Sequence, residues 1–268
     1  MDGKINGGEL NLSRTAREKC ESGIYHIIAR GINRQAIFFD NEDYIRYLET
    51  LNKYKNDGKC TVLGYCLMRN HLHLLLQENS ESIAVTMKRI GTSYAWWYNK
   101  RYDRVGHVFQ DRYKSECVED DAYLLTVIRY IHLNPVKAKI TEKPEEYKWS
   151  SCRAYYTRDE CPAGLTATET ILACFKHRNK PEEDCFRQYM EQQSDERCLE
   201  YDIKRCIKDS ALKREIEIIS GGIKASELHS VEKTERNMIL RRAKDIPGSN
   251  LRQISRVTGI GINIILRA

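Results

Sequence analysis

The sequence lacks the paired cysteines of a zinc ribbon. Ten cysteines are scattered along 268 residues, and no two of them stand in a Cys-x-x-Cys arrangement. A disulfide framework is not expected in so long a chain without a secretion signal. We therefore expect free thiols in a reducing compartment.

Long apolar runs are also missing. A helix that crosses a bilayer needs roughly 20 consecutive apolar residues, and no stretch approaches that length. The N-terminus contains Gly and Asn rather than the apolar core of a signal peptide. With 41% hydrophobic and 31% charged residues, the composition is that of a soluble globular protein, and we expect it in the cytoplasm.

The net charge of +6 is mild, but the charges are unevenly distributed. Residues 241–268 hold six Lys and Arg against one acidic residue, whereas residues 181–200 hold seven Asp and Glu against two basic ones. A basic end after an acidic stretch favours contact of that end with nucleic acid. The alternative is an ordinary solvated helix face.

Hydrophobic periodicity predicts an α+β domain in the first half of the chain. The elements follow the order strand, helix, strand, strand, helix, strand, which is the ferredoxin-like split βαβ pattern. We expect a single antiparallel sheet with helices on one face. The predicted strands begin at Gly23, Cys60, His71 and Arg112, and the two helices are capped by Asp40 and Ser80.

A further helix is predicted from Asp120 to Asn134, because the residue before a proline avoids the α region. The expected organisation has four parts. They are a flexible arm (1–19), the α+β domain (20–156), a linker (157–180) and a helical DNA-binding region (181–268).

Two histidines one residue apart make the stretch from Tyr65 to Leu76 the centre of this domain. Side chains alternate along a strand, so His71 and His73 point to one face and Leu72 to the other. Leucines follow on both faces, which is typical of an inner strand that is covered on both sides. Two imidazoles on a rigid strand suit a divalent metal ion. Two hydrogen-bonded core histidines are the simpler alternative.

The helix that ends before Pro135 supplies partners for such a pair. Tyr130 and Asn134 are four residues apart and share a helix face. A tyrosine hydroxyl next to a metal-bound phosphate can attack phosphorus and form a covalent phosphotyrosine. An asparagine oxygen suits a hard ion such as Mg²⁺ or Mn²⁺. If the Asn134 oxygen, His71 and His73 bind the ion, coordination positions on the ion stay open for phosphate oxygens.

Four blocks in this order resemble the single-tyrosine HUH transposases, and especially the tyrosine transposases associated with repetitive extragenic palindromes. They are YHIIARG at 25–31, MRNHLHLL at 68–75, GHVFQDRY at 106–113 and YIHLNPV at 130–136. The resemblance covers about residues 20–156 and implies an HUH nuclease domain there.

The resemblance implies that His71 and His73 are metal ligands and that Tyr130 is the nucleophile. Some relatives have a glutamine four residues after the tyrosine as third ligand, and Asn134 holds that place here, so the third ligand is open. The implied reaction is cleavage and rejoining of single-stranded DNA at a hairpin, through a 5′-phosphotyrosine and a free 3′-hydroxyl. The implied ion is Mg²⁺ or Mn²⁺, and the protein acts as a monomer or a homodimer.

Tyr113 is the rival nucleophile. It lies on the fourth predicted strand, where it can be a packing residue, and it has no ligand partner one helical turn away, which favours Tyr130. The aromatic pair Trp96 and Trp97 could stack on bases, although Trp97 can equally belong to the core. Basic side chains near these blocks are expected to contact DNA: Arg30, Lys88, Arg89, Arg112 and Lys114.

Residues 251–262 resemble a helix-turn-helix, in which the second helix enters the major groove. Only about residues 263–268 remain for that helix. Arg252 and Arg256 are therefore expected to hold phosphates rather than to recognise bases. A plain helical hairpin is the alternative.

Three functions are compatible with this pattern. The first is a transposase that nicks and rejoins DNA, and the second is a non-catalytic DNA-binding regulator on the same fold. The third is a rolling-circle replication or mobilisation initiator with the same chemistry, although such proteins usually need further domains. Retention of both histidines, Tyr130 and Asn134 favours the enzyme.

Overall fold

A computed structural model describes residues 20–176, 180–192, 198–199 and 207–268 of the chain. The predicted flexible arm, residues 1–19, lies outside these residues. The chain divides into two compact units, Met1–Glu200 and Tyr201–Ala268. Among the described residues, no helix combines the length and apolar composition that crossing a membrane requires.

A four-stranded antiparallel sheet forms the centre of the first unit. Its strands are β1 (Ile24–Arg30), β2 (Cys60–Met68), β3 (His71–Glu78) and β4 (Lys114–Cys117), in the order β2-β3-β1-β4. The predicted fold class, an α+β protein with a ferredoxin-like sheet, is confirmed. Strand β3, which carries both histidines of the His-x-His pair, is an inner strand, as the apolar residues on both of its faces predicted.

Helices cover both faces of this sheet. Helices α1 (Asn41–Asn56) and α2 (Ile83–Arg101) lie on one face, where Tyr47 and Met87 line a cavity together with Ala29 of β1. Helix α3 (Asp121–Lys137) packs against β2 and β3 on the other face. The expectation of helices on one face is therefore wrong, because the long apolar helix α3 covers the face that carries the histidines.

The close approach of α3 depends on a glycine. A Cβ added at Gly64 of β2 would clash with the Cδ1 atom of Ile128 on α3. A side chain at this position would push α3 away from the sheet, so glycine sets the distance between the helix and the histidine face.

Helix α3 continues through Pro135 and ends at Lys137. Proline has no N–H to donate to the carbonyl of Ile131 four residues earlier. The side-chain amide of Asn134 contacts that carbonyl at 3.4 Å and donates to the Tyr130 carbonyl at 2.9 Å. The prediction that the helix ends at Asn134 is wrong because this side chain supplies the donor that proline lacks.

Three short helices complete the first unit: α4 (Cys152–Thr157), α5 (Glu169–Leu172) and α6 (Glu182–Glu191). Their apolar side chains, and those of the residues around them, are buried in the core of this unit. Leu165 and Phe175 are examples in the predicted linker, and Phe186 is one in α6. Residues 157–176 therefore pack as part of the domain, since a solvent-exposed linker would not bury large apolar side chains.

The described part of the second unit, residues 207–268, is helical. It contains α7 (Asp209–Ile219), α8 (Lys233–Lys244), α9 (Leu251–Thr258) and α10 (Ile262–Arg267). A separate small core joins them, including Leu212, Ile216, Leu240, Ile254 and Ile265.

The last two helices of this unit are those predicted as a helix-turn-helix. Gly259, with a φ of 71°, ends α9 in the left-handed conformation that glycine adopts without strain. The six residues of α10 expose apolar side chains, with Ile264 and Leu266 about half exposed. The helix-turn-helix is not confirmed, because a helix that enters a groove of DNA is expected to present polar or basic side chains.

Candidate active site

Three histidines meet on the face of the sheet that α3 covers. Ile28 of β1 pairs with His73, and His26 is two residues from Ile28, so His26, His71 and His73 point to the same face. The ring centroids of His71 and His73 are 5.2 Å apart, and those of His26 and His73 are 5.5 Å apart. The sheet register therefore adds a third imidazole to the pair that the sequence predicted.

Tyr130 lies directly against this cluster. Its ring centroid is 5.5 Å from that of His73 and 5.8 Å from that of His26. The side chain is buried on α3. Lys137, seven residues further along the helix, places its Nζ atom 4.6 Å from the centre of the Tyr130 ring. The structure thus brings together the predicted nucleophile, the predicted ligands and a cation.

His71 and His73 each have a hydrogen-bond contact at the Nδ1 atom of the ring. The Nδ1 atom of His71 lies 2.7 Å from Oδ1 of Asn70, an atom that can only accept. The Nδ1 atom of His73 lies 3.2 Å from Nε2 of His26. If each Nδ1 carries the proton, each Nε2 keeps its lone pair for a metal ion, which is the usual division of roles in a metal-binding histidine.

Burial keeps both imidazoles neutral. It lowers the pKa of His71 to about 4, with help from the positive charge of Arg30. Burial also lowers the pKa of His73 well below its ordinary value, and the neighbouring His26 contributes in the same direction. Neutral imidazole is the form that binds metal ions.

The side-chain nitrogen of Asn134 faces carbonyls of its own helix. Both partners of its side chain are backbone carbonyls, so the atom that faces them must be the amide nitrogen. The side-chain oxygen is then the atom available to a cation. Among the described residues, no His, Cys, Asp or Glu completes a three-ligand cluster with His71 and His73, and an amide oxygen on the Tyr130 helix is a ligand of another type.

The donor set fits a divalent ion. Two neutral imidazole nitrogens and one amide oxygen suit Mn²⁺ well, and Mg²⁺ less well because that ion prefers oxygen ligands. Arg30, at the end of β1, stands opposite His71 in the register and could meet a phosphate at the same place.

Sequence reasoning missed three residues of this site. His26 and Glu116 come from β1 and β4, and their side chains bond at 2.7 Å (Nδ1 to Oε1). Only the pairing of distant strands brings them to His73. Lys137 could have been found, because residues seven apart lie close to one another on a helix face.

The rival tyrosine lies elsewhere. Tyr113 lines a cavity of about 1290 Å³ next to Ala29, whose side chain points away from the histidine face. The same cavity is lined by Lys88, Arg112 and Lys114, three of the predicted DNA contacts, and by Trp96. The cavity therefore belongs to the opposite side of the sheet.

The aromatic residues of α2 have different surroundings. Trp96 is 64% exposed, and Lys100 places its Nζ atom 5.3 Å from the centre of its ring. Trp97 is partly buried and packs against the core, and Tyr98 is fully buried. Of these three aromatic rings, Trp96 is the one whose exposure suits stacking on a base.

Several predicted DNA contacts have partners within the protein. Arg89 pairs with Glu81 at 3.3 Å. Arg256 donates two hydrogen bonds to Asp209, from Nε at 2.8 Å and from Nη2 at 2.7 Å, and this pairing lowers the pKa of Asp209 to about 2. Its contact with DNA stays a prediction.

Two other predicted DNA contacts occupy different parts of the chain. Arg252 is exposed on α9. Lys114, on the edge strand β4, stands opposite Ile28 in the register and also lines the cavity beside Tyr113. Their contacts with DNA also stay predictions.

Two further groups of polar side chains are structural. His132 is buried on α3, bonds to Oγ of Ser151 at 2.8 Å and packs against Tyr155. Cys20, Cys117 and Glu119 bring possible ligand atoms within 4.8 Å of one another. The Glu119 carboxylate accepts the amide protons of residues 21 and 22, so it holds the residues that precede β1.

This arrangement defines a class of protein. A split βαβ sheet carries paired histidines that face a tyrosine on a helix. Residues 19–134, somewhat less than half of the chain, match the family model described as "Transposase IS200 like". The resemblance found in the sequence agrees with this match, which covers the segment that carries the histidines and Tyr130.

Two solved structures are similar to the chain. A REP-associated tyrosine transposase bound to a REP hairpin has a TM-score of 0.47 and 16% identity, and the match covers 59% of this chain and 90% of that one. A protein from Deinococcus radiodurans described as a transposase has a TM-score of 0.31 and 15% identity, with 48% and 93% covered. No curated protein sequence matches the chain.

Proposed function

We propose that the first unit is a metal-dependent endonuclease and strand-transfer enzyme. It cleaves single-stranded DNA beside a hairpin through a covalent bond between Tyr130 and a 5′ phosphate. The observation that carries the proposal is the contact between the Tyr130 ring and His73 on the covered face of the sheet, 5.5 Å between centroids. The family match of residues 19–134 supports it.

The proposed cleavage is one substitution at phosphorus. The phenolic oxygen of Tyr130, whose proton passes to water, forms a bond to phosphorus as the bond to the 3′ oxygen breaks. The leaving 3′ oxygen takes up a proton, so the products are a free 3′-hydroxyl and a 5′-phosphotyrosine. Rejoining reverses these steps with another 3′-hydroxyl and needs no external energy source, because the phosphotyrosine conserves the phosphodiester energy.

The surrounding residues have separate roles in this proposal. His71, His73 and Asn134 would hold Mn²⁺ or Mg²⁺, which would polarise the phosphate when bound. Arg30 would hold a phosphate oxygen next to His71. Lys137 would favour the anionic form of Tyr130 during the attack, because its ammonium group lies over the ring.

The direct test is a trapping experiment with the full chain. A single-stranded DNA with a hairpin, labelled at either its 5′ or its 3′ end, is incubated with Mn²⁺ and separated on a denaturing gel. The 3′ label should migrate with the protein, and the 5′ label should remain on a free fragment. Binding without any adduct under these conditions would favour the regulator.

Lys137 allows a prediction about rate. Lys137→Met keeps the length of the side chain and removes the positive charge, so we expect adduct formation to slow about tenfold, a modest effect for so exposed a cation. The measurement is single-turnover cleavage at saturating DNA. Lys139→Met removes an exposed charge two residues away and should cleave at the parent rate. Equal cleavage rates for the two variants would show that the charge of Lys137 does not contribute to cleavage.

The basic end of the chain allows a prediction about DNA affinity. Arg252→Gln should weaken DNA binding and reduce the slope of log K against log salt by about one, the value for one phosphate contact. Arg256→Gln should instead lower thermal stability, because its guanidinium bonds Asp209. Point variants are needed, since deletion of residues 241–268 would remove much of the second core. An unchanged slope for Arg252→Gln would show that Arg252 does not contact a phosphate.

A further inference from the structure

A chain of hydrogen bonds leads from the edge of the sheet to His73. Oε1 of Glu116 on β4 lies 2.7 Å from Nδ1 of His26 on β1, and Nε2 of His26 lies 3.2 Å from Nδ1 of His73 on β3. Each link joins two neighbouring strands. The three side chains therefore form a row across β4, β1 and β3 on the face that Tyr130 covers.

The direction of this chain follows from its first member. Because a carboxylate only accepts, His26 must donate from Nδ1 to Glu116. If His26 carries no second proton, its Nε2 has a lone pair and accepts from Nδ1 of His73. His73 is thereby protonated at Nδ1 and keeps its lone pair on Nε2. The carboxylate at the edge of the sheet thus determines which nitrogen of His73 is free.

The carboxylate is itself held in place. Burial raises the pKa of Glu116, but the hydrogen bonds from His26 and from the Leu199 amide outweigh it, so the pKa is lowered overall. The Leu199 amide donates to the same oxygen at 3.0 Å. A side-chain hydrogen bond also joins Glu116 to Tyr123. These hydrogen bonds favour the ionised form of Glu116 and orient its carboxylate toward His26.

We propose that Glu116 and His26 are positioning residues, which fix His73 in the tautomer and ring orientation that leave Nε2 for the metal ion. This inference rests on the proposed function. His26 is fully buried and in contact with His73 rather than exposed to DNA, and it supplies the acceptor that metal-binding histidines ordinarily find in a carboxylate or a carbonyl.

The first test needs neither metal nor activity. Nitrogen-15 NMR of the imidazoles in the metal-free full chain distinguishes a protonated ring nitrogen from an unprotonated one. We expect His73 to be protonated at Nδ1 and unprotonated at Nε2. In Glu116→Ala and His26→Leu, the Nε2-protonated form should become populated. A parent protein whose His73 carries its proton on Nε2 would contradict the proposed positioning role of Glu116 and His26.

The second test measures Mn²⁺ affinity of the same proteins by calorimetry. Loss of such an outer hydrogen-bond partner typically weakens metal binding about 10- to 100-fold, and we expect this for His26→Leu and, near the lower limit, for Glu116→Ala. Glu119→Ala is the carboxylate control, because the exposed Glu119 carboxylate accepts the amide protons of residues 21 and 22 and bonds no histidine among the described residues. His132→Leu is the matched control for a buried histidine. Both controls should stay within about twofold of the parent.

The variants also distinguish a positioning role of His26 from direct metal binding by this side chain. If Glu116→Ala and Glu119→Ala bind Mn²⁺ equally well while His26→Leu binds poorly, His26 is itself a ligand. The proposed positioning role of Glu116 and His26 is then wrong. If His26→Leu does not fold, the parent tautomer and the two glutamate variants still decide. Failure of the proposed function has a different signature, in which no DNA adduct forms although His73 has the expected tautomer.

Discussion

Replacing Tyr130 by phenylalanine is expected to abolish the covalent protein–DNA species completely while DNA and metal binding persist. Phenylalanine keeps the ring, which contacts His26 and His73, and removes only the hydroxyl that would attack phosphorus. The ring is buried and a cation lies over it, so its packing and its place beside the imidazoles should survive. The measurement is the denaturing gel with 3′-labelled hairpin DNA.

The matched control for this variant is Tyr113→Phe. Tyr113 lines the cavity on the other side of the sheet, so removing its hydroxyl should leave most of the adduct. An adduct of full strength from Tyr130→Phe, together with none from Tyr113→Phe, would identify Tyr113 as the nucleophile. Helix α3 would then have only a structural role. Affinity for the hairpin DNA, measured on both variants, excludes loss of binding as the cause.

The strands were predictable because each has a strong local pattern. The predicted first residues of β2 and β3 agree with the structure, and the tight link at Arg69-Asn70 separates two runs of mostly apolar side chains. Helix α1 begins where the sequence predicted because Asp40 accepts the amide protons of residues 42 and 43. Local signals of this kind depend on neighbouring residues alone.

The end of α3 was not predictable from the same rules. A proline usually marks the end of a helix, and whether a side chain can serve the carbonyl left without a donor depends on one rotamer of Asn134. The position of α3 likewise follows from Gly64, which leaves room for Ile128. Neither effect has a signal in hydrophobic periodicity, so both the extent of the helix and the face it covers were missed.

The candidate site was predictable in part for a similar reason. His71 and His73 share a strand, and Tyr130 and Asn134 share a helix, so regular spacing predicted each pair. His26 lies 47 residues from its partner His73 along the chain and Glu116 lies 90 residues from His26. Their contact depends on the register between three strands, which one sequence does not reveal.

The second large effect is expected from the histidines. His73→Ala should lower cleavage by at least about 100-fold at a fixed Mn²⁺ concentration, since it removes a ligand rather than an outer partner of one. His71→Ala should have a comparable effect. Asn134→Ala should weaken metal use less, because water can take the position of an amide oxygen, although it also removes a donor to the Tyr130 carbonyl, worth about 1 kcal/mol of stability.

A titration with Mn²⁺ identifies the cause of this loss. Removing a ligand weakens metal binding, so the Mn²⁺ concentration for half-maximal cleavage should rise in His71→Ala and His73→Ala, and excess Mn²⁺ should restore part of the activity. His132→Ala is the control, because it deletes an equally buried imidazole that bonds to Ser151 rather than to another histidine. It should lose stability without a change in that midpoint. If His73→Ala and His132→Ala had the same Mn²⁺ midpoint, His73 would be a core histidine, and the cleavage chemistry would have to use a metal site elsewhere.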